Sequence, residues 1–143
     1  RRASPSANCN PERTSPFYYK VSMETSAEIG ARGERIATDW LRSRGFVIVE
    51  RNWRNGRYEI DIIARRWDEI HFVEVRTRKA GGWTTPEQAI DRDKFRSLRR
   101  AAALYLALHP SPETPLFDLC AVETRADGTF DVRFAENAME SHW

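Results

Sequence analysis

Two short β-rich runs carry acids where a buried strand ordinarily carries none. Tyr58-Glu59-Ile60-Asp61-Ile62-Ile63-Ala64 is interrupted by Glu59 and Asp61, and Phe72-Val73-Glu74-Val75-Arg76 by Glu74 and Arg76. Side chains two apart on a strand share a face, so the spacing groups Glu59 with Asp61 and Glu74 with Arg76. A hairpin centred between Trp67 and Asp68 sets Asp61 opposite Glu74 and Glu59 opposite Arg76, with Cβ atoms ~5 Å apart. A two-residue slip sets Glu59 opposite Glu74 instead, whereas a one-residue slip sends one strand's charges to the other face. Carboxylates that close repel one another unless a cation lies between them. A hard divalent ion, Mg²⁺ or Mn²⁺, prefers oxygen ligands and accepts one or two protein carboxylates together with water and a substrate phosphate. Zinc suits this position poorly, because His71, His109 and His142 lack any ligand spacing and His71 falls on the opposite face. The ordinary alternative is that these charges form cross-strand ion pairs or a solvated rim.

Other charges must be positioned by helices. Thr25-Ser26-Ala27-Glu28 has the form of a capping box, after which Ile29, Gly33, Ile36, Ala37, Trp40 and Leu41 recur on one helical face and Gly45 supplies the stop. Glu34 lies at the margin of that stripe, roughly 20° past Leu41 on a helical wheel, so it can face the sheet. Its neighbours Gly30 and Gly33 permit close backbone approach. On a later helix, Arg92, Arg96, Arg99 and Arg100 occupy about a 100° sector beside Phe95, Leu98, Ala102 and Tyr105. With Arg78 and Lys79 they make a basic patch suited to a phosphate backbone, held by counterion release. A solvated face partly neutralised by Asp91 and Asp93 is the alternative. Trp67 and Trp83 fall in loops, where partial burial is expected over base stacking, and Cys120 reads as inert core.

The elements around these residues follow from their punctuation. Phe46–Trp53, Tyr58–Ala64 and Ile70–Arg76 read as strands, with a turn at Asn55-Gly56 and a short polar connection around residues 66–69. Thr85-Pro86-Glu87-Gln88 and Asp91 are helix-start signals, and that helix closes at Pro110. Leu116–Glu123 and the alternating Phe130, Val132 and Phe134 are two more strands around an Asp127-Gly128 turn. The order is α-β-β-β-α-β-β, an α/β domain about a mixed sheet. Strands that are apolar on both faces require helices on both.

At 143 residues, with 41% hydrophobic and 31% charged content, the chain suits one domain and excludes a disordered protein. Residues 25–135 read as that domain, residues 1–24 as a disordered extension with Met23 a plausible start, and residues 136–143 as a short tail. No apolar run approaches the ~18 residues of a spanning helix. Two cysteines fit a reducing cytoplasm, and a net charge of +2 does not by itself announce a nucleic-acid binder. Motifs for Ser-His-Asp hydrolysis, a P-loop or a dinucleotide site are absent from the sequence.

Gly33-Glu34-Arg35, Asn52-Trp53-Arg54, Glu59-Ile60-Asp61-Ile62-Ile63-Ala64 and Phe72-Val73-Glu74-Val75-Arg76-Thr77-Arg78 together, and in this order, resemble the YraN family of endonuclease-like bacterial proteins. The similarity spans about residues 29–108. It implies a restriction-endonuclease-like, PD-(D/E)xK-type three-layer fold related to Holliday-junction resolvases. It further implies a catalytic set of Glu34, Asp61, Glu74 and Arg76, and Mg²⁺ or Mn²⁺ held by Asp61, Glu74, Glu34 and Glu59. The implied partner is DNA, branched or structured, and junction resolution with its two cuts calls for a homodimer. Gln88 and Lys94, in the helix-entry segment, take a substrate-side role. Arg76 stands where the motif has lysine, and an arginine cannot act as a general base. Catalysis would then rest on water activated by the ion, with Arg76 clamping phosphate. The alternative is a non-catalytic nucleic-acid-binding module retaining the fold.

Overall fold

The computed structural model describes residues 24–79 and 91–138. Within them lie helix α1 (Ser26–Ser43), strands β1 (Val47–Asn55), β2 (Tyr58–Arg66) and β3 (Glu69–Lys79), helix α2 (Arg92–Leu108), and strands β4 (Thr114–Thr124) and β5 (Phe130–Ala135). This is the expected α-β-β-β-α-β-β order. Trp83, the Thr85–Gln88 capping signature and the N-terminal extension before Glu24 lie outside the described residues, as do residues 139–143. No described helix is long and apolar enough to cross a membrane.

The five strands form one sheet in the order β1-β2-β3-β4-β5. Pairing is antiparallel except between β3 and β4, where a parallel pair needs a crossover and α2 lies in it. Each face of the sheet carries one helix. Phe95, Leu98, Ala102 and Tyr105 of α2 pack on Trp53, Ile60, Ile63 and Phe72. Ala37 and Leu41 of α1 pack on Ile62, Ala64, Val73, Cys120 and Val122. The three layers explain why the middle strands read as continuous apolar runs. Cys120 is fully buried, and that burial pushes its thiol up to about 12, an inert core cysteine.

Local chemistry ends each helix where the sequence says it should. The Thr25 hydroxyl accepts the Glu28 N–H at 3.1 Å and donates to Glu28 Oε1 at 3.1 Å. Gly45, at φ +89°, lets the chain leave α1. Asp91 Oδ1 caps α2 by accepting the Asp93 and Lys94 N–H groups at 2.9 and 3.3 Å. Gly33 brings α1 onto β3 closely: a Cβ there would stand 1.9 Å from Thr77 Oγ1 and 2.8 Å from Thr77 Cβ. Rotating the threonine moves its Oγ1 but not its Cβ. Gly33→Ala therefore lifts α1 off β3, costing about 1–3 kcal/mol, seen as a lower urea midpoint at unchanged slope. Thr77→Ser does not rescue it.

Strand boundaries differ from the sequence reading in two useful ways. β3 pairs with β4 as far as Lys79↔Thr124, so Arg78 and Lys79 belong to the end of the strand and not to a loop beyond it. The polar connection shrinks to a two-residue turn at Trp67 and Asp68, with Trp67 at φ +57°. Trp67 is 78% exposed, contrary to the expected partial burial, because so tight a turn leaves its tip no neighbouring surface beyond the Arg66 guanidinium 4.3 Å from its ring. At the other end, Ala138 is buried with the α2 layer and the Asn137 N–H donates to Asp118 Oδ1 at 2.8 Å. Packing thus continues past β5 into residues read as tail.

Candidate functional site

The β2–β3 register runs from Arg66↔Glu69 to Ile62↔Val73, the frame expected from a turn centred between Trp67 and Asp68. The next pair in that frame is Asp61 with Glu74. There the ladder stops, and the Asp61 carboxylate accepts the Val75 N–H at 2.8 Å. On its other side, β2 is paired with β1 at Ile62↔Arg51 and Ile60↔Trp53, skipping Asp61 and Asn52. Asn52 has φ +53°, a left-handed conformation that asparagine tolerates. Ile60 packs in the α2 layer and Ile62 in the α1 layer, although they are two residues apart. The strand therefore turns about its axis at Asp61, which sits unpaired between two interrupted ladders.

That rotation corrects one part of the alternation argument. Glu59 is not paired with Arg76, because the β2–β3 ladder ends at Ile62↔Val73: it is exposed, opposite Arg54 on β1, with the Arg54 Nε 3.5 Å from its Oε2. The pairing of Asp61 with Glu74 survives in a different form. Both are half-buried and line one open cavity of about 780 Å³, bounded also by Ser26, Gly30 and Glu34 of α1, Glu59, Arg76–Lys79 of β3, and Lys94 of α2. All four expected metal-site acids thus border a single space, brought there by α1, β2 and β3.

The electrostatics are those of acids in search of a counterion. Burial raises Asp61 to about 6, with Glu34 and Glu59 adding to the rise and the Val75 N–H and Lys94 opposing it. Burial raises Glu74 to about 7, aided by Asp61 and Glu59, against Lys94 and Arg76. The donor set is oxygen only, from carboxylates that resist ionisation while no cation is present. This fits a hard divalent ion. Asp61 and Glu74 would hold it; Glu34 and Glu59 border the same space, but no three of the four acids bring ligand atoms within 4.8 Å of one another.

The expected basic residues divide. Arg76, Arg78, Lys79 and Lys94 border the cavity. Arg100 borders an adjoining depression of about 560 Å³, shared with Arg57, Tyr58, Ser97, and again Glu59, Glu74 and Lys94. Arg92, Arg96 and Arg99 are exposed and line neither, and Arg96 is committed to Asp93 at 2.9 Å. Lys94 is the residue whose position the sequence reading underrates: its charge opposes that of both Asp61 and Glu74. The signal is present in its spacing, since Lys94 precedes the buried Phe95 in the first turn after the Asp91 cap. Arg57, beside its Tyr58 ring at 5.4 Å, escapes the sequence reading altogether, because a lone arginine in a turn has no periodic signature.

The fold and site together define an α/β domain with a cation-rimmed cluster of carboxylates at one end of a mixed sheet. The chain belongs to the family described as "Uncharacterised protein family UPF0102", whose model matches residues 33–132. It is 45% identical over 87 residues to the UPF0102 protein of Beutenbergia cavernae, a match covering 61% of this chain and 74% of that relative. It is 47% identical over 81 residues to the Lawsonia intracellularis member, covering 57% of this chain and 61% of the relative. With the Symbiobacterium thermophilum member it shares 38% identity over 117 residues, 81% of this chain and 99% of the relative.

Proposed function

We propose that this chain is a metal-dependent, endonuclease-like protein of the YraN type that hydrolyses phosphodiester bonds in structured DNA. One observation carries the reading: Asp61 of β2 and Glu74 of β3 converge, half-buried, on a cavity that Glu34 and Lys94 reach from two different helices. A structural ion pair needs no such open space, whereas a phosphodiester does.

A Mg²⁺ or Mn²⁺ ion, when bound, supplies charge neutralisation and activates water at neutral pH. The chain's own groups do the rest. Asp61 is held by the Val75 N–H, so its carboxylate is aimed before substrate arrives. Arg76 and Lys94 face the same space with positive charge, suited to pairing the non-bridging oxygens of the phosphate as their charge grows. Arg78 and Lys79, at the end of β3, extend that charge along the backbone path. The arginine at position 76 cannot trade protons, which leaves the amines of Lys79 and Lys94 at this cavity, and of the two Lys94 opposes the charge of both Asp61 and Glu74. Lys94→Ala is expected to lower cleavage by roughly 10²-fold, with Lys94→Arg recovering part of it.

The test is a panel of branched, flapped, duplex and single-stranded DNA with Mg²⁺ and Mn²⁺. Cleavage of at least one structured form that EDTA stops supports the proposal. The second reading, a binding module without chemistry, draws on Arg76. It predicts salt-sensitive binding and no cut under either ion, with cleavage gained in Arg76→Lys. Equal cutting by the wild type and an Asp61→Asn protein would assign the activity to a contaminant.

A further inference from the structure

A second group of ligand-type side chains lies at the opposite end of β3. Glu69, His71 and Glu136 each offer one atom, and these atoms all fall within 4.8 Å of one another. His71 is fully buried and meets Phe46 edge-on at 4.9 Å, in the α1 layer and so on the face away from Glu74. Its Nδ1 stands 2.5 Å from Oδ2 of Asp118, which is also fully buried, and its Nε2 stands 3.1 Å from Glu69 Oε1. Asp118 is itself fixed, since its Oδ1 accepts the Asn137 N–H at 2.8 Å. Arg66 donates to one oxygen of Glu136 at 2.8 Å, and its guanidinium lies 4.1 Å from the Phe46 ring.

We propose that Glu69, His71 and Glu136 form a binding site for a zinc-class divalent cation, with Asp118 holding His71 in the ligating tautomer. A carboxylate behind a histidine's far nitrogen is how protein metal sites orient and strengthen that ligand. The 3.1 Å between His71 Nε2 and Glu69 Oε1 is close to the ~3.3 Å edge of a tetrahedron with ~2.0 Å zinc bonds. One imidazole nitrogen with two carboxylate oxygens suits zinc better than magnesium, so this site differs in chemistry from the all-carboxylate cavity. Glu136 closes by a side-chain movement, for it is exposed and its hydrogen bond is to the Arg66 side chain. Three protein ligands leave a fourth position to water. An ion here ties the first residue of β3 to the turn after β5, stapling the edge strand to the sheet. It acts on stability and is independent of the proposed nuclease function. Burial disfavours a charged His71, but its hydrogen bonds to Asp118 and Glu69 and the charges of Asp118 and Glu136 together raise it; metal binding needs the neutral imidazole, so the titration is run at pH 8.

The experiment uses the full chain carrying Asp61→Asn and Glu74→Gln, which removes the other cluster as a competitor. Zinc chloride is titrated against a chromophoric zinc chelator, with thermal unfolding followed in parallel. The expected result is one saturable equivalent of micromolar or tighter affinity and a zinc-dependent rise in Tm. Glu69→Gln and Glu136→Gln should each weaken binding by ~10-fold or more and abolish the rise in Tm, with far-UV circular dichroism unchanged. Either of two outcomes overturns the proposal. No saturable uptake leaves His71 as a buried histidine hydrogen-bonded between Asp118 and Glu69, and uptake that survives both substitutions places the zinc on other groups.

Discussion

Asp61→Asn combined with Glu74→Gln stabilises the metal-free protein at pH 8, by on the order of 2–4 kcal/mol. The reason is that both carboxyls are raised in the fold, from 3.8 to about 6 and from 4.5 to about 7, chiefly by burial. A raised acid binds more protons folded than unfolded, so stability falls as pH climbs through the interval between the two values. Below about pH 4 both states are protonated and these groups impose no penalty. The penalty grows from there and is complete above about pH 7. The two amide side chains have the same shape and no charge to desolvate, and the one at position 61 keeps an oxygen for the Val75 N–H. Thermal unfolding in EDTA should show wild type and variant converging near pH 4 and separating by several degrees at pH 8. Added Mn²⁺ should raise the Tm of the wild type alone. A variant less stable than wild type at pH 8 would mean that these acids serve the fold and not a ligand.

The same substitutions, made singly, should lower Mg²⁺-dependent cleavage by roughly 10²–10³-fold or more, while salt-sensitive DNA binding stays within a few-fold of wild type. Binding would be preserved because the proposed backbone path runs over Arg78, Lys79 and Lys94, which border the cavity and which neither substitution touches. Cleavage is lost because each acid supplies a share of the charge that would hold the ion. Gel assays read the first quantity and fluorescence anisotropy with Ca²⁺ in place of Mg²⁺ reads the second. Cleavage kept in either variant, with EDTA still inhibiting, would move the metal to other residues. Gain of stability with loss of cleavage, in one protein, is what a site held at the expense of the fold produces.

The cluster's neighbours give these two outcomes their meaning. Lys94 lowers the titration of both acids and borders both depressions, so it belongs to the same electrostatic unit and should not be additive with them. Gly33 bears on the site indirectly, since the close packing of α1 on Thr77 is what brings the adjacent Glu34 to the cavity.

How much of this was legible in the chain itself varies with the range of the interaction. Element order, the helix caps at Thr25 and Asp91, and the frame of the β2–β3 hairpin all follow from residues within a few positions of one another. Periodicity and turn chemistry operate over that range, and a one-residue error would have exposed an entire apolar face. The acids that matter were visible for the same reason, as charges breaking an apolar strand. Tertiary structure alone decided the rest. The break in the β1–β2 ladder at Asn52 of β1 and Asp61 of β2 released Glu59 to Arg54 and turned the Asp61 carboxylate to the Val75 N–H. The packing of α1 and α2 on opposite faces determined that Glu34 and Lys94 reach one cavity while Arg92, Arg96 and Arg99 do not. The meeting of Glu69, His71 and Glu136 joins residues far apart in sequence. Such convergence depends on the summed twist and spacing of packed layers, which no local pattern of side chains encodes.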